Sequence, residues 1–307
     1  MHLIVPFAGT ASPAGQHALK DLSLPNLERL LARLSPVHAL GQDEFSLSLP
    51  HELALADARG WSLVDGALPW AAELAGQHGL PVGEHAWALL TPVHLHAGAE
   101  QVSLANPAEL PLDERSSRQL FDDLRYLFDS EGFGLHWVGP QQWLATHPLF
   151  QDLATASIDR AVGRNVDPWL PDQRSARLLR RLQNEVQMLL YTHPLNDQRE
   201  AAGLPTVNSF WCSGCGRAQA VAANAGPEVD ERLRQPALAE DWAAWREGWL
   251  ALDAGPVAAL NRATGPVQLT LCGERLAQRW EAVPRSLWQR LTGTWQRRAT
   301  PDLLAPL

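Results

Sequence analysis

An α/β fold with a mostly parallel sheet flanked by helices is predicted by three observations. Short apolar runs of strand length alternate with amphipathic helical patterns along the whole chain. The chain has 307 residues and 46% of them are hydrophobic, enough for a large core. Charged residues make up only 19%, which excludes the disordered and fibrous classes.

The elements follow in order. His2 to Phe7 reads as a short buried strand closed by Ala8-Gly9. Leu27 to Leu34 carries leucines at 27, 30, 31 and 34, one apolar helical face, with Pro25 placed to pre-set the first turn. Residues 50–60 and 69–79 read as two further helices, separated by an Asp65-Gly66 turn. His85 to His96 has the apolar density of a buried strand, and Pro92 predicts an edge position or a break. Ser116 to Ser130 is helical and Leu135 to Val138 is a short strand stopped by Gly139-Pro140. Arg174 to Thr192 gives the longest helical pattern, ended by His193-Pro194. A strand, Val207 to Trp211, runs into Cys212-Ser213-Gly214-Cys215-Gly216, and Ala218 to Ala223 reads as another. Residues 238–251 form a helix with Trp242, Trp245 and Trp249 on one face, a packing seam. Val267 to Cys272 is the last strand, followed by a helix over 274–281.

Composition limits the chemistry. The balance of 25 basic against 34 acidic residues gives −9, which disfavours nucleic acid and anionic membranes as partners. Three cysteines form no disulfide framework, and the absence of a signal-like leader or a membrane-length apolar run makes a cytoplasmic location the expectation. Lys20 is the only lysine and stands away from any Gly-rich loop, so a Walker A site and a Schiff-base cofactor are not expected. No cofactor is expected.

Three constellations remain. Trp211-Cys212-Ser213-Gly214-Cys215 has the spacing of a dithiol redox motif, but Gly214 and Gly216 suit a tight turn better than a helix N-terminus. A zinc site would need further ligands, with Cys272 as a third. His94 and His96 place two imidazoles on one strand face, a metal-like spacing that also fits two ordinary edge histidines. Arg164, Asn165 and Asp167, together with His193 and Asn196, offer guanidinium and amide donors for a small anion. The alternative there is an ordinary loop with local Asx turns.

The stretch 192–217, with His193-Pro194-Leu195-Asn196 and Asn208-Ser209-Phe210-Trp211-Cys212-Ser213-Gly214-Cys215-Gly216-Arg217, resembles the H-P-x-N and A-N-x-x-W-x-x-G-x-G-R segment of archaeal-type cofactor-independent phosphoglycerate mutases. Those enzymes belong to the alkaline-phosphatase-like superfamily. Leu24-Pro25-Asn26-Leu27-Glu28-Arg29-Leu30 is similar to the family's opening helix, and Asn165 to Pro171 to its loop before the long helix. The whole chain resembles the bacterial RpfE-type regulatory protein family, often labelled phosphoglycerate mutase. The resemblance implies one alkaline-phosphatase-like α/β domain over 1–307, with a candidate subdomain joint near 220–237.

It also implies a two-metal site whose ligands this sequence lacks. The family's first strand ends in Asp-Gly, and here the corner is Phe7-Ala8-Gly9. Its late strand ends in an Asp-His pair, and here it ends Leu271-Cys272-Gly273. Two-metal phosphoryl transfer needs such ligands. The expectation is a degenerate metal site, no catalytic residues, and a non-catalytic regulatory or binding protein. Its partners would be a small anion or another protein, with self-association left open. The alternatives are an active phosphoglycerate mutase or phosphoester enzyme with a relocated metal site using His94 and His96, and a dithiol redox protein.

Overall fold

The computed structural model describes residues 1–41, 43–171, 174–222, 226–282 and 299–307. In chain order the strands are β1 (His2–Val5), β2 (Ser35–Leu40), β3 (Ala86–Val93), β4 (Leu95–Ala97), β5 (Val102–Leu104) and β6 (Gly134–Gly139). Then follow β7 (Gln142–Thr146), β8 (Ser209–Arg217), β9 (Glu228–Val229), β10 (Gln268–Cys272) and β11 (Ala277–Glu281). They divide between two compact units, one of residues 1–44, 49–60 and 221–307, the other of 45–48 and 61–220.

The first unit is built on a five-stranded sheet of order β2-β11-β10-β1-β9. Strand alternation sorts its core. Leu3, Val5, Leu269 and Leu271 face one side, where they pack with Leu27, Leu30, Trp245 and Trp249. Ile4, Cys272 and Ala277 face the other, against Ala54 of the helix Pro50–Arg59. The helix Pro25–Arg33 starts on Pro25, as its sequence predicts, and the carboxylate of buried Asp253 accepts from the Asn26 and Leu27 backbone N–H groups. Trp245 and Trp249 stack edge to face at 6.2 Å, so the tryptophan stripe is core.

The second unit carries a four-stranded antiparallel sheet of order β6-β7-β3-β8. Ala86, Ala88 and Leu90 point toward the helices Glu114–Ser130 and Arg177–Tyr191. Trp87 and Leu144 point toward the helix Trp70–Gln77 on the opposite face. A separate hairpin pairs β4 with β5.

Several expectations are corrected. The sheet is not mostly parallel: strand-to-strand parallel pairing is confined, among the described residues, to β1 with β9 and β10. Apolar density in a run such as 86–93 reports cover on both faces, which helices supply here to an antiparallel sheet, and says nothing of direction. β3 is interior rather than an edge, and Pro92 lies beyond Leu90, the last residue that β7 pairs. The 274–281 helix is instead β11, returned beside β10 by a tight turn. Residues 218–222 are irregular, and Ala223 lies outside the described residues. Arg177–Tyr191 is shorter than Glu114–Ser130, because residues 174–176 form a separate 3₁₀ turn. No helix among the described residues is long and apolar enough to cross a membrane.

Candidate functional site

In open α/β sheets the carboxyl ends of parallel strands form the usual ligand crevice. In the first unit that place is the corner where β1 and β10 end side by side. Ala8 N–H donates to the Cys272 carbonyl at 2.7 Å. Phe7 adopts φ 54°, a left-handed conformation that strains a bulky residue. The Trp245 indole N–H holds it there by donating to the Phe7 carbonyl at 2.9 Å. The corner is filled by the chain itself. A Cβ at Gly9 would overlap the Leu304 carbonyl, and one at Gly273 would overlap the Leu307 backbone. Arg275 and Leu276 N–H groups both donate to the Leu307 carbonyl, at 3.1 and 3.0 Å.

The donor set here does not fit two divalent cations. Phe7, Ala8, Gly9 and Gly273 supply no ligating side chain, and Cys272 is fully buried with its thiol pushed up by that burial. Glu274 accepts from the Thr10 hydroxyl at 3.1 Å and from Ala11 N–H at 3.0 Å, and the His51 ring packs on Phe7 with centres 5.5 Å apart. Among the described residues no group of three His, Cys, Asp or Glu side chains is placed to hold a metal ion.

The anion candidates fall in two local structures of the second unit. Arg164 is exposed, just after the short helix Ile158–Ala161, and its N–H donates to the Ala161 carbonyl. Asn165 bridges to Ser103 of β5, and its side-chain oxygen accepts from Asp167 N–H at 3.2 Å, the Asx turn of the ordinary-loop alternative. His193 and Asn196 are buried and their polar atoms are engaged. His193 caps the helix Pro194–Ala201 by accepting from Leu195 N–H through Nδ1, and its Nε2 lies 3.0 Å from the Asp123 carboxylate. The Asn196 amide donates to the Leu190 and Val207 carbonyls and accepts from Val207 N–H, which ties that helix to the chain entering β8.

His94 sits in the break between β3 and β4 rather than on a continuous strand face. Its Nδ1 lies 2.8 Å from the Thr206 carbonyl, and its ring centre is 6.3 Å from that of His96. The dithiol pair lies within β8, which continues through the motif to Arg217. A bulge makes room for it: Trp87 pairs with Gly216 and Leu89 with Ser213, so two residues are accommodated opposite Ala88. The added residue restores parity, and Cys212 and Cys215 enter the same core with their sulfurs 3.7 Å apart. Their mutual hydrogen bond and burial push the Cys212 thiol well up, the reverse of the activation a helix N-terminus provides.

One charged residue of this region was not singled out by the sequence. Arg199, only 6% exposed, lies beneath a groove of about 570 Å³ between the start of the helix Glu114–Ser130 and the helix Pro194–Ala201. Its Nε donates to the Pro205 carbonyl at 2.7 Å and its Nη1 to the Pro111 carbonyl at 2.9 Å. Its Nη2 is buried with no acceptor among the described residues. Such a donor costs about 1–3 kcal/mol. A lone arginine in a polar helical segment reads as solvated, and the partner that buries it lies far upstream in sequence.

No protein-family model matches the chain, and no curated protein matches it. Among solved structures, it is similar to a cofactor-independent phosphoglycerate mutase from Thermoplasma acidophilum, with 12% identity and a TM-score of 0.38 over 91% of this chain and 89% of that one. It is also similar to the PH0037 protein from Pyrococcus horikoshii, with 13% identity and a TM-score of 0.44 over 92% of this chain and 87% of that one.

Proposed function

We propose that this chain is a non-catalytic binding or regulatory protein on an alkaline-phosphatase-like frame, a bacterial relative of phosphoglycerate mutases of the RpfE type. The observation that supports the reading is the corner at the ends of β1 and β10. It is closed by Leu304 and Leu307, and Phe7-Ala8-Gly9 and Leu271-Cys272-Gly273 stand where the family carries its metal ligands. Two-metal catalysis needs ions that clamp the attacking and leaving oxygens, and the ends of β1 and β10 supply no set of side chains to hold them. The net charge of −9 disfavours nucleic acid and anionic membrane surfaces as partners.

The test is elemental analysis of the purified protein beside phosphoglycerate mutase and phosphoester hydrolysis assays with added Mn, Mg or Zn. The expected result is no stoichiometric metal and no turnover above the blank. Two tightly held metals per chain, with an activity that chelators abolish, would establish the enzyme reading instead. Loss of those metals on His94→Ala and His96→Ala would then place them at the relocated site.

A further inference from the structure

Strand β6 is an outer edge of the second unit's sheet. It pairs with β7 on one side, and among the described residues no backbone group pairs with it on the other. Its six residues, Gly134-Leu135-His136-Trp137-Val138-Gly139, include no lysine, proline or acidic residue, the devices that commonly keep an edge from pairing. Its one irregularity falls between Trp137 and Gly139, which leaves Gly134 to Trp137 in regular register.

The helix Glu114–Ser130 runs along this edge in the opposite direction. Arg118, near its start, lies over the Trp137 ring at 3.7 Å, and Phe128, near its end, meets Phe133 with ring centres 5.9 Å apart. One flank of the helix turns inward to the rest of the unit, where Asp123 lies 3.0 Å from His193. The opposite flank carries Arg118, Asp122, Arg125 and Asp129, all exposed, at the four- and three-residue steps that make one stripe along the β6 side. Their charges alternate, and their spacing is symmetric about the midpoint between Asp122 and Arg125. The stripe spans roughly 16 Å at 1.5 Å per residue. The strand beneath it spans roughly 17 Å at 3.4 Å per residue.

We propose that this edge docks a second copy of the same chain, β6 against β6 in antiparallel pairing, around a two-fold axis through the middle of the charged stripe. The axis sets Arg118 opposite the partner's Asp129 and Asp122 opposite the partner's Arg125, and repeats both pairs in reverse. An antiparallel strand pair has the same two-fold symmetry. The middle of the stripe lies between the Trp137 and Phe133 contacts, over the middle of the strand, so one axis serves both layers. A partner of uniform charge would instead meet its own sign at half of the stripe. The pairing joins two four-stranded sheets into one and satisfies the open backbone edge of each. The inference goes beyond the reading of the β1–β10 corner and does not depend on it, since metal analysis and sedimentation fail separately.

The experiment is sedimentation velocity of the full chain from about 1 to about 100 μM, with peptide-resolved hydrogen exchange at both ends of that range. The expected result is a concentration-dependent dimer whose β6 amides exchange more slowly at the high concentration. Asp129→Arg puts like charges at two symmetry-related contacts and should weaken the dimer about tenfold or more, with the melting temperature of the monomer unchanged because Asp129 is exposed. Arg118→Asp should weaken it likewise. The double variant restores both pairs with their signs exchanged and should return the Kd to within about threefold of the original. Arg118 also covers Trp137, so Asp129→Arg alone decides the case if Arg118→Asp lowers the melting temperature. A monomer throughout the range would overturn the proposal. So would a dimer indifferent to Asp129→Arg, or one that leaves the β6 amides unprotected, since either would place the contact on another surface.

Discussion

His193 and Asn196 illustrate how a residue that looks ready for chemistry is spent on structure. The imidazole is tied through one nitrogen to its own helix and through the other to Asp123, and Asn196 closes three bonds with backbone groups. In sequence they read as donors for a small anion together with Arg164, Asn165 and Asp167, because the sequence shows which donors exist but not which acceptors they already have. Two measurements test the residue scale. Burial, with the Arg279 charge adding to it, holds His2 down at about 4, and burial also lowers His136 and His147. The unfolded chain then binds protons more readily, so stability is full above the ordinary histidine range and is lost as pH falls from about 6.5 toward 4. Thermal melts across that interval should show the loss, and His2→Gln should flatten part of it; an unchanged slope would remove His2 from the account. The second concerns thiols. Cys212, Cys215 and Cys272 are all buried, and none should react quickly with an aromatic disulfide reagent at pH 8 until the protein is unfolded. Rapid native labelling that persists to low pH would instead mark an activated thiolate and revive the redox alternative.

At the level of elements, the bulge in β8 depends on backbone conformations that glycine adopts without strain. Gly214 has φ 64°, and a Cβ there would stand 3.0 Å from the Ala71 backbone nitrogen and 3.2 Å from Trp70 Cβ. Gly163 has φ 71° with nothing within 4 Å. Both glycine-to-alanine changes incur left-handed strain, on the order of 1–3 kcal/mol. Gly214→Ala adds a collision with the helix packed on that face, so its denaturation midpoint should fall clearly further than that of Gly163→Ala. Equal midpoints would mean that the helix Trp70–Gln77 is not held against the bulge. The sequence suggested a glycine turn at this point because it shows the conformational freedom of Gly214 but not the strand partner that continues past it. The same limit explains β11. Leu276, Ala277 and Trp280 recur at helical spacing, yet a short turn returns them to β10, and pairing overrides the local pattern. Where period and tertiary setting agree the helices were legible in place and type, though Trp242–Leu252 starts four residues later than the sequence pattern and Pro25–Arg33 two residues earlier.

For the molecule as a whole, strands and helices in alternation correctly indicated a mixed α/β protein, while strand direction was hidden. The apolar corner at β1 and β10 was legible as residue types, but its filling by Leu304 and Leu307 was not, because that contact joins the two ends of the chain. The groove over Arg199 had no local sign at all, since the Pro111 carbonyl that holds the guanidinium is 88 residues away.

The placement of β1 has a consequence for how the chain is made. Its register pairs His2 with Gln268, and its other neighbour is β9, so nearly the whole polypeptide separates the first strand from its partners. At roughly 5–20 residues per second, this strand leaves the ribosome on the order of tens of seconds before β10 exists. Residues 45–48 and 61–220, by contrast, hold their own four-stranded sheet and can complete it while synthesis continues. The nascent chain therefore passes through a long interval with a finished middle and an apolar, unpaired beginning, the state in which a chaperone or a wrong strand finds it first.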